Sequence, residues 1–180
     1  MQRFAAAPWP VSLKVVSTAA TLILVGATVV LDRAIPLGTR APFAQTFGTL
    51  VTLVPGAILL GALLFVVRGY EVETDGVYVE RLLWRTRLGL DGLRRAWHDP
   101  AAMRRSVRLF GNGGMYAVTG IFQNRTIGRY RAFVTNPKLA VVLQFEKRTV
   151  VVSPAHPNAL LGELKVVAPA VAVGEPPAAA

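Results

Sequence analysis

The chain has 180 residues, of which 20 are Lys or Arg and 10 are Asp or Glu, so its formal net charge is +10. It contains no cysteine, which excludes disulfides, thiol nucleophiles and thiolate metal sites. The two histidines, His98 and His156, do not stand at a metal-binding spacing such as H-x-x-x-H, so we expect no metal site.

Two long apolar runs open the chain, at residues 11–31 and 47–67. Apart from Lys14, which can reach the headgroups from the end of the first run, neither run contains a charged side chain. About 20 apolar residues in a helix cross a hydrocarbon layer of ~30 Å. The pattern predicts a two-helix transmembrane hairpin over residues 11–67, with the Pro55-Gly56 pair tolerated as a kink.

A signal peptide and a pair of core helices are the alternatives to a membrane hairpin. A cleaved signal peptide would have a shorter apolar core and a small-residue cleavage site, and no A-x-A sequence stands directly after Leu31. A pair of buried core helices would be expected to carry some polar residues, and uncharged runs of this length are rare in them. The transmembrane hairpin is the interpretation that we favour.

The distribution of Lys and Arg predicts how the hairpin is oriented. The connecting loop carries Arg33 and Arg40, offset by Asp32. Basic residues flank both outer ends of the hairpin: Arg3, Lys14, Arg68, Arg81, Arg85 and Arg87. Because positive side chains concentrate on the cytoplasmic side, we expect a multi-pass protein of the inner (plasma) membrane with both termini in the cytoplasm. Residues 1–10 are then a cytoplasmic lead.

Residues 69–168 change to short runs rich in Val, Tyr, Phe and Thr that are separated by turn residues. Asp75-Gly76 and the four residues 111–114 (Gly-Asn-Gly-Gly) are each flanked by such runs, which predicts two β-hairpins. Strands are also predicted at residues 127–134 and 149–152, and one more by the alternation of Leu139, Val141, Leu143 and Phe145. Residues 91–103 are polar and are expected to be irregular.

The hydrophobic period changes near the end of the chain. Leu160, Leu161, Leu164 and Val167 form one helical stripe, which predicts a helix near residues 156–167 with Ser153 or His156 as its cap. Residues 169–180 are rich in Pro and Ala, have little to bury, and are expected to be a disordered tail. The predicted fold is therefore a membrane α-helical hairpin plus a mainly-β domain at residues 69–168.

Several stretches of the chain are shared with one family, namely residues 69–84, 106–114, 128–135 and 150–154. They include the motifs Arg-x-Phe-Gly-Asn-Gly-Gly and Val-Val-Ser-Pro. Together with the two apolar runs, they resemble the bacterial PH-domain membrane proteins. The resemblance implies a PH-like antiparallel β-barrel or sandwich of about seven strands with a C-terminal capping helix, and it implies no agreed activity. An OB-like barrel is the alternative fold, but the terminal helix favours the PH-like one.

No motif for catalysis or cofactor binding stands out in the sequence. Residues 111–114 lack a following Lys-Ser/Thr, so we interpret them as a turn and not as a phosphate loop. Ser153 and His156 do not form a G-x-S-x-G elbow. We therefore expect a non-enzymatic protein without a cofactor that binds a protein partner or the anionic membrane surface. The alternative is an accessory subunit of a membrane enzyme or transporter.

The region after the membrane runs is basic, with sixteen Lys or Arg against nine Asp or Glu in residues 68–180. A basic domain tethered to a bilayer faces anionic headgroups, so the anchor favours lipid over nucleic acid as the acidic partner. Arg85, Arg87, Arg94 and Arg95 are the candidate lipid contacts, because they follow the anchor closely in the sequence. The alternative is that these arginines form an ordinary solvated basic surface.

Overall fold

The computed structural model describes residues 2–34 and 42–174, apart from the side chains of residues 34, 42–45 and 47. The predicted loop between the two apolar runs and the last six residues of the predicted tail lie largely or wholly outside the described residues.

Two long helices form where the sequence is apolar. Helix α1 spans Val11–Ala34 and helix α2 spans Pro42–Leu64, with Pro55 inside α2, and the two helices contact each other. Among the described residues, one helix, Val11–Arg33, is long and apolar enough to cross a membrane. The most apolar 18-residue stretch of this helix has a mean hydropathy of 2.0, and only 6% of that stretch is buried. In α2, the described residues Gly48–Leu64 form a shorter apolar helical stretch.

A short strand precedes α1, at a position where the sequence pattern predicts none. Strand β1 spans Gln2–Ala5 and pairs antiparallel with β2, Gly69–Glu73, which follows α2. Phe4 and Ala7 are buried against the domain, and the amide of Ala7 donates a 2.8 Å hydrogen bond to the Ser153 carbonyl. The start of the chain is therefore an integral part of the β domain.

The first sheet has four strands in the order β1-β2-β3-β4. Strand β3 is Gly76–Glu80 and β4 is Arg85–Gly89, and both neighbouring pairs are antiparallel. The predicted hairpin at Asp75-Gly76 is confirmed, but its turn consists of Thr74 and Asp75, and Gly76 is the first residue of β3.

The second sheet has seven strands in the order β11-β5-β9-β10-β8-β7-β6. Its strands are β5 Leu93–His98, β6 Val107–Met115, β7 Ala117–Asn124, β8 Gly128–Val134, β9 Val141–Phe145, β10 Thr149–Val152 and β11 Ala172–Val173. The expectation of a wholly antiparallel domain is wrong, because β10 pairs in parallel with β8. Strands β8 and β9 run in opposite directions, so any strand inserted between them must be parallel to one of the two.

The hydrophobic core lies between the two sheets and helix α3, which spans Pro157–Val167. Leu160, Leu161 and Leu164 are buried, as the helical stripe predicted, and they join a cluster that includes Tyr70 and Leu143. A second cluster covers the other face of the large sheet and contains Trp97, Ala102, Phe122, Tyr130, Ala132, Val134, Ala140, Val142 and Val151.

Three further details differ from the sequence predictions. Leu139 ends a 3-10 turn at Pro137–Leu139 and is only half-buried, so the strand begins at Val141. His156 stands at the N-cap of α3 but its side chain makes no cap hydrogen bond. Residues 93–98, expected to be irregular, form β5.

The predicted tail is also ordered at its start. Val171 is buried, and Ala172 and Val173 pair in parallel with β5, so the expectation of disorder is wrong for residues 169–174. Val171 joins the core cluster and Val173 packs against it, and composition alone did not indicate these contacts.

The domain has a helix-side end, which is the end where α1 begins and α2 ends. It comprises residues 6–10, residues 65–68, the β3–β4 turn at residues 81–84, the β6–β7 turn at Tyr116, and the C-terminal ends of β8 and β10. The opposite end, which we call the far end, holds the β2–β3 turn at Thr74 and Asp75 and the start of β5.

Candidate functional site

The four arginines that the sequence nominated do not form one cluster. Arg85 and Arg87 lie on β4 in the small sheet, whereas Arg94 and Arg95 lie on β5 in the large sheet. Three of them are neutralised locally. Arg85 pairs with Glu71 at 3.0 Å and Glu73 at 3.5 Å, Arg87 pairs with Asp75 at 3.1 Å, and Arg94 pairs with Glu146 at 2.6 Å.

Nearness in sequence to the anchor does not mean nearness in space. Strand β4 runs from Arg85, opposite Glu80, to Gly89, opposite Gly76, and so carries the chain to the far end before β5 begins. Five residues of strand span about 17 Å. Arg94 and Arg95 therefore lie at the far end, away from both helices.

Arg81 is the arginine that sequence reasoning did not single out as a site. It follows β3 at the helix-side end, and only 7% of its surface is exposed. Its guanidinium carbon lies 4.9 Å from the ring centroid of Phe65, 5.5 Å from Trp84 and 5.2 Å from Phe133. These rings come from the end of α2, the β3–β4 turn and β8, so only the folded domain assembles this aromatic cage.

The Arg81 charge is not compensated within the described residues. Its Nε and Nη1 atoms are buried without a hydrogen-bond partner, and no described carboxylate makes an ion pair with it. Burial, and after it the charge of Arg131, lower the pKa of Arg81. Its ordinary value is high enough that the side chain stays protonated near neutral pH. Cation–π contacts offset part of the desolvation cost but leave the N–H donors free.

An open cleft of about 400 Å³ lies beside this guanidinium. It is lined by Arg3, Arg68, Glu80, Arg81, Leu82, Leu83, Trp84 and Arg85. The one carboxylate among these residues, Glu80, is held by Arg3, whose Nε donates a 2.9 Å hydrogen bond to Glu80 Oε2. A guanidinium with free donors in a cationic cleft can bind a carboxylate or a phosphate.

The rim of the cleft is apolar and exposed. Leu83 is 73% exposed and Leu82 is 50% exposed, in the turn that joins β3 to β4. Phe65, one residue beyond α2, stacks edge-on against Trp84 with 5.3 Å between ring centroids. Exposed apolar and aromatic side chains at the exit of an apolar helix are typical of the membrane interface.

A second contact ties the helix-side end to α1. The β6–β7 turn lies against the helix, where Ser17 Oγ accepts a 2.8 Å hydrogen bond from the Tyr116 amide and Thr21 Oγ1 lies 2.6 Å from Tyr116 Oη. Trp9 packs on the Tyr116 ring at 5.9 Å. The Tyr116 amide and hydroxyl groups at this turn therefore have hydrogen-bond partners within the protein.

The Gly-Asn-Gly-Gly stretch is part of strand β6 and not the turn itself, so the predicted turn position is wrong by a few residues. Gly111 lies opposite Gly120 at a close backbone approach: a Cβ on Gly111 would lie 2.4 Å from the Thr119 carbonyl oxygen. Asn112 accepts hydrogen bonds from the Gly114 and Met115 amides and thereby closes the tip. The glycines serve strand pairing, not phosphate binding.

The remaining candidate groups have structural partners. Ser153 Oγ accepts a 2.8 Å hydrogen bond from the Thr135 amide, and Thr135 Oγ1 donates to the Ala7 carbonyl at 2.7 Å. Among the described residues, no group of three or more His, Cys, Asp or Glu side chains is placed to hold a metal ion.

Comparison with known proteins agrees with this architecture. No curated protein and no solved structure matches the chain. Residues 68–168 match the family described as Bacterial PH domain. This match covers more than half of the chain and includes strands β2 to β10 and helix α3, which closes the core. The chain thus belongs to the bacterial PH domain family.

Proposed function

We propose that this protein is a membrane-anchored, non-enzymatic PH-domain module whose domain works at the cytoplasmic surface of the plasma membrane. Both α1 and α2 cross the bilayer in this proposal, and both chain termini are cytoplasmic. The observation that carries the proposal is the pairing of β1 with β2 across the two helices.

The pairing constrains the number of crossings. Strand β1 ends six residues before α1, and β2 begins shortly after α2, yet the two strands are hydrogen-bonded neighbours. If α1 crosses the bilayer, the chain must return before Gly69, and α2 is the helix available for the return. At 1.5 Å per residue, the 23 residues of α2 reach about 34 Å, which is enough to cross the hydrocarbon layer.

The surface of the helices supports the same arrangement. Side chains that point away from the domain are large and apolar, among them Val15, Leu22, Ile23, Leu50, Leu53, Val54 and Ile58, and all are at least half exposed. So much exposed apolar surface is unfavourable in water and is favourable in lipid. This exposed apolar surface supports the proposal that the helices lie in a bilayer.

The domain itself is suited to binding. A PH domain is typically a non-catalytic module, and no convergent set of catalytic side chains occurs in the described part of the chain. The cationic cleft at the helix-side end supports the anionic membrane surface as its target. A protein partner is the second candidate, for which the exposed edge strand β6, with Val107, Leu109 and Phe110, offers an apolar surface.

The topology can be tested with reporter fusions to the full chain. Alkaline phosphatase inserted at Gly38 should be active, because that loop would face the non-cytoplasmic side, and the same enzyme fused after Ala180 should be inactive. The protein should also stay in the membrane pellet after carbonate washing. An inactive reporter at Gly38, or release by carbonate, would contradict the proposal.

A further inference from the structure

We infer that the cleft beside Arg81 binds the phosphate group of an anionic phospholipid headgroup, with the Arg81 guanidinium as the central donor. This inference rests on the proposed membrane anchoring, because the anchor places the cleft beside lipid headgroups. It names a ligand class and centres the site on Arg81, which is not one of the four arginines that the sequence nominated, although Arg85 lines the same cleft.

The first observation is the unpartnered guanidinium. Two buried N–H-bearing nitrogens without an acceptor are rare in folded proteins, since burial removes the water that would otherwise solvate them. Three aromatic rings hold the group in place from three different elements of the fold. The guanidinium thus holds an uncompensated positive charge beside the cleft, and the described residues do not supply the anion that would balance it.

The second observation is the surrounding charge. Arg68 lines the same cleft, and Arg131 stacks on one of the three caging rings, Phe133, at 4.8 Å from the ring centroid. Neither side chain forms an ion pair with a described residue. The cluster thus repels a further cation and favours a ligand with net negative charge over a zwitterionic headgroup.

The third observation identifies the source of the phosphate as a lipid. The cleft opens next to Leu82 and Leu83, whose exposed side chains would lie among the acyl chains or glycerol groups when α2 spans the bilayer. Phe65 and Trp84 extend this apolar rim to the end of the helix. A free phosphate ion would not contact the apolar rim. A phospholipid can place its phosphate group in the cationic cleft and its apolar part against the rim at the same time.

The test uses the full chain purified in a neutral detergent and monitors the melting temperature as ligand is added. Short-chain phosphatidylglycerol, short-chain phosphatidylcholine and inorganic phosphate are the three probes. A ligand that binds only the folded state raises the melting temperature in proportion to its affinity. We expect phosphatidylglycerol to stabilise the protein and the other two probes to have little effect.

Variants of Arg81 and of a distant arginine make the test specific. Arg81→Met should weaken phosphatidylglycerol binding by about tenfold or more, since it removes charge-assisted hydrogen bonds. Without lipid, the same variant should melt at or above the wild-type temperature, because it replaces an unpaired buried charge by an apolar side chain. Arg94→Met, at the far end, should bind phosphatidylglycerol as the wild type does.

The outcomes separate the inference from the proposed function. If phosphatidylglycerol stabilises the wild type and Arg81→Met equally, or stabilises neither, the proposed site is wrong. If inorganic phosphate raises the melting temperature as much as phosphatidylglycerol does, the inference that the bound phosphate belongs to a lipid is wrong. If Arg81→Met does not fold, Arg81→Lys keeps the charge without the planar fork and should bind more weakly than wild type, and unchanged binding would overturn the inference. The reporter fusions at Gly38 and Ala180 do not depend on Arg81, so they report on the topology alone.

Discussion

Tyr70 is the residue that links the two sheets at the helix-side end. Its hydroxyl group donates a 2.6 Å hydrogen bond to the Phe133 carbonyl on β8 and accepts a 3.0 Å hydrogen bond from the Ser153 amide just after β10. The side chain is fully buried, so no water competes for these bonds. A single hydroxyl therefore fixes β2 against two strands of the large sheet.

Tyr70→Phe should lower the free energy of unfolding by about 1–3 kcal/mol, because the Ser153 amide would lose its acceptor in a buried position. Chemical denaturation of the detergent-solubilised chain measures this loss. Tyr78→Phe is the matched control, since the Tyr78 hydroxyl bonds only to Asp75 at an exposed turn. Equal losses for the two variants would contradict the structural role of Tyr70.

The Tyr70 hydroxyl group also makes the free energy of unfolding depend on pH in the alkaline range. Burial raises the pKa of Tyr70 to about 12, against the opposing effect of the hydrogen bond from Ser153. The unfolded side chain ionises near pH 10. Because the folded pKa is the higher one, this contribution is complete below pH 10 and is lost as the pH rises towards 12. In Tyr70→Phe, the part of the decrease in the free energy of unfolding between pH 10 and pH 12 that comes from this hydroxyl group should be absent.

Arg81 marks the limit of sequence reasoning at the residue scale. The sequence shows it as one of several basic residues after the anchor, and nothing in its neighbours in the chain sets it apart. Its cage forms from Phe65, Trp84 and Phe133, which come together only when the end of α2, the β3–β4 turn and the end of β8 meet in the folded domain. Ion pairing of Arg85, Arg87 and Arg94 likewise depends on cross-strand register, which composition does not reveal.

Helix α3 is the element whose role the sequence predicted best. Its apolar residues recur at helical spacing, and the structure buries that stripe against the core between the sheets. Regular periodicity survives in the sequence because each stripe residue contacts the same neighbour surface.

Leu164→Asp should destabilise the domain by about 3–5 kcal/mol, because it places a charge in a fully apolar site. Leu164 has no exposed surface, whereas Val166 on the same helix is 75% exposed. Val166→Asp is therefore the matched control and should change the free energy of unfolding by less than about 0.5 kcal/mol. Thermal melts of both variants decide the point, and a similar loss for each would show that α3 does not pack as described.

Strand β5 shows why some elements escape prediction. Leu93, Ala96 and Trp97 are buried, but the register against β9 shifts between Leu93 and Arg95, so apolar residues do not alternate regularly. A bulge of this kind inserts one residue and reverses the inward face. The stretch therefore has no strand period in the sequence, and the short β1, with Phe4 as its one buried side chain, offers even less pattern.

At the scale of the whole molecule, β1 makes the start of the chain, the helices and the domain one structure. Phe4 packs into the same core cluster as Tyr70 and Leu160, although more than 60 residues and both long helices separate it from β2 in the chain. A contact of that sequence separation has no local signature, so the sequence pattern indicates only a simple lead at residues 1–10.

Phe4→Ala should lower the free energy of unfolding by about 2–4 kcal/mol, because it leaves a cavity in the core cluster. Gln2→Ala, on the same strand but exposed, should have almost no effect. Limited proteolysis of the full chain in detergent, followed by mass spectrometry, would locate the change. Faster cleavage near residues 2–10 in Phe4→Ala alone is expected, and equal cleavage in both variants would contradict the anchoring of β1.

The placement of β1 also orders events during synthesis. Strand β1 leaves the ribosome before both long helices and its partner β2 only after them, so the hydrogen bonds between β1 and β2 cannot form until the helices have been made. Under the proposed topology, a chain whose second helix fails to insert leaves β1 and β2 on opposite sides of the membrane. The edge of β2 then stays open, and such an unpaired edge exposes the failed chain to aggregation or to proteolysis. Completion of this sheet would thus act as a checkpoint for correct insertion of the hairpin.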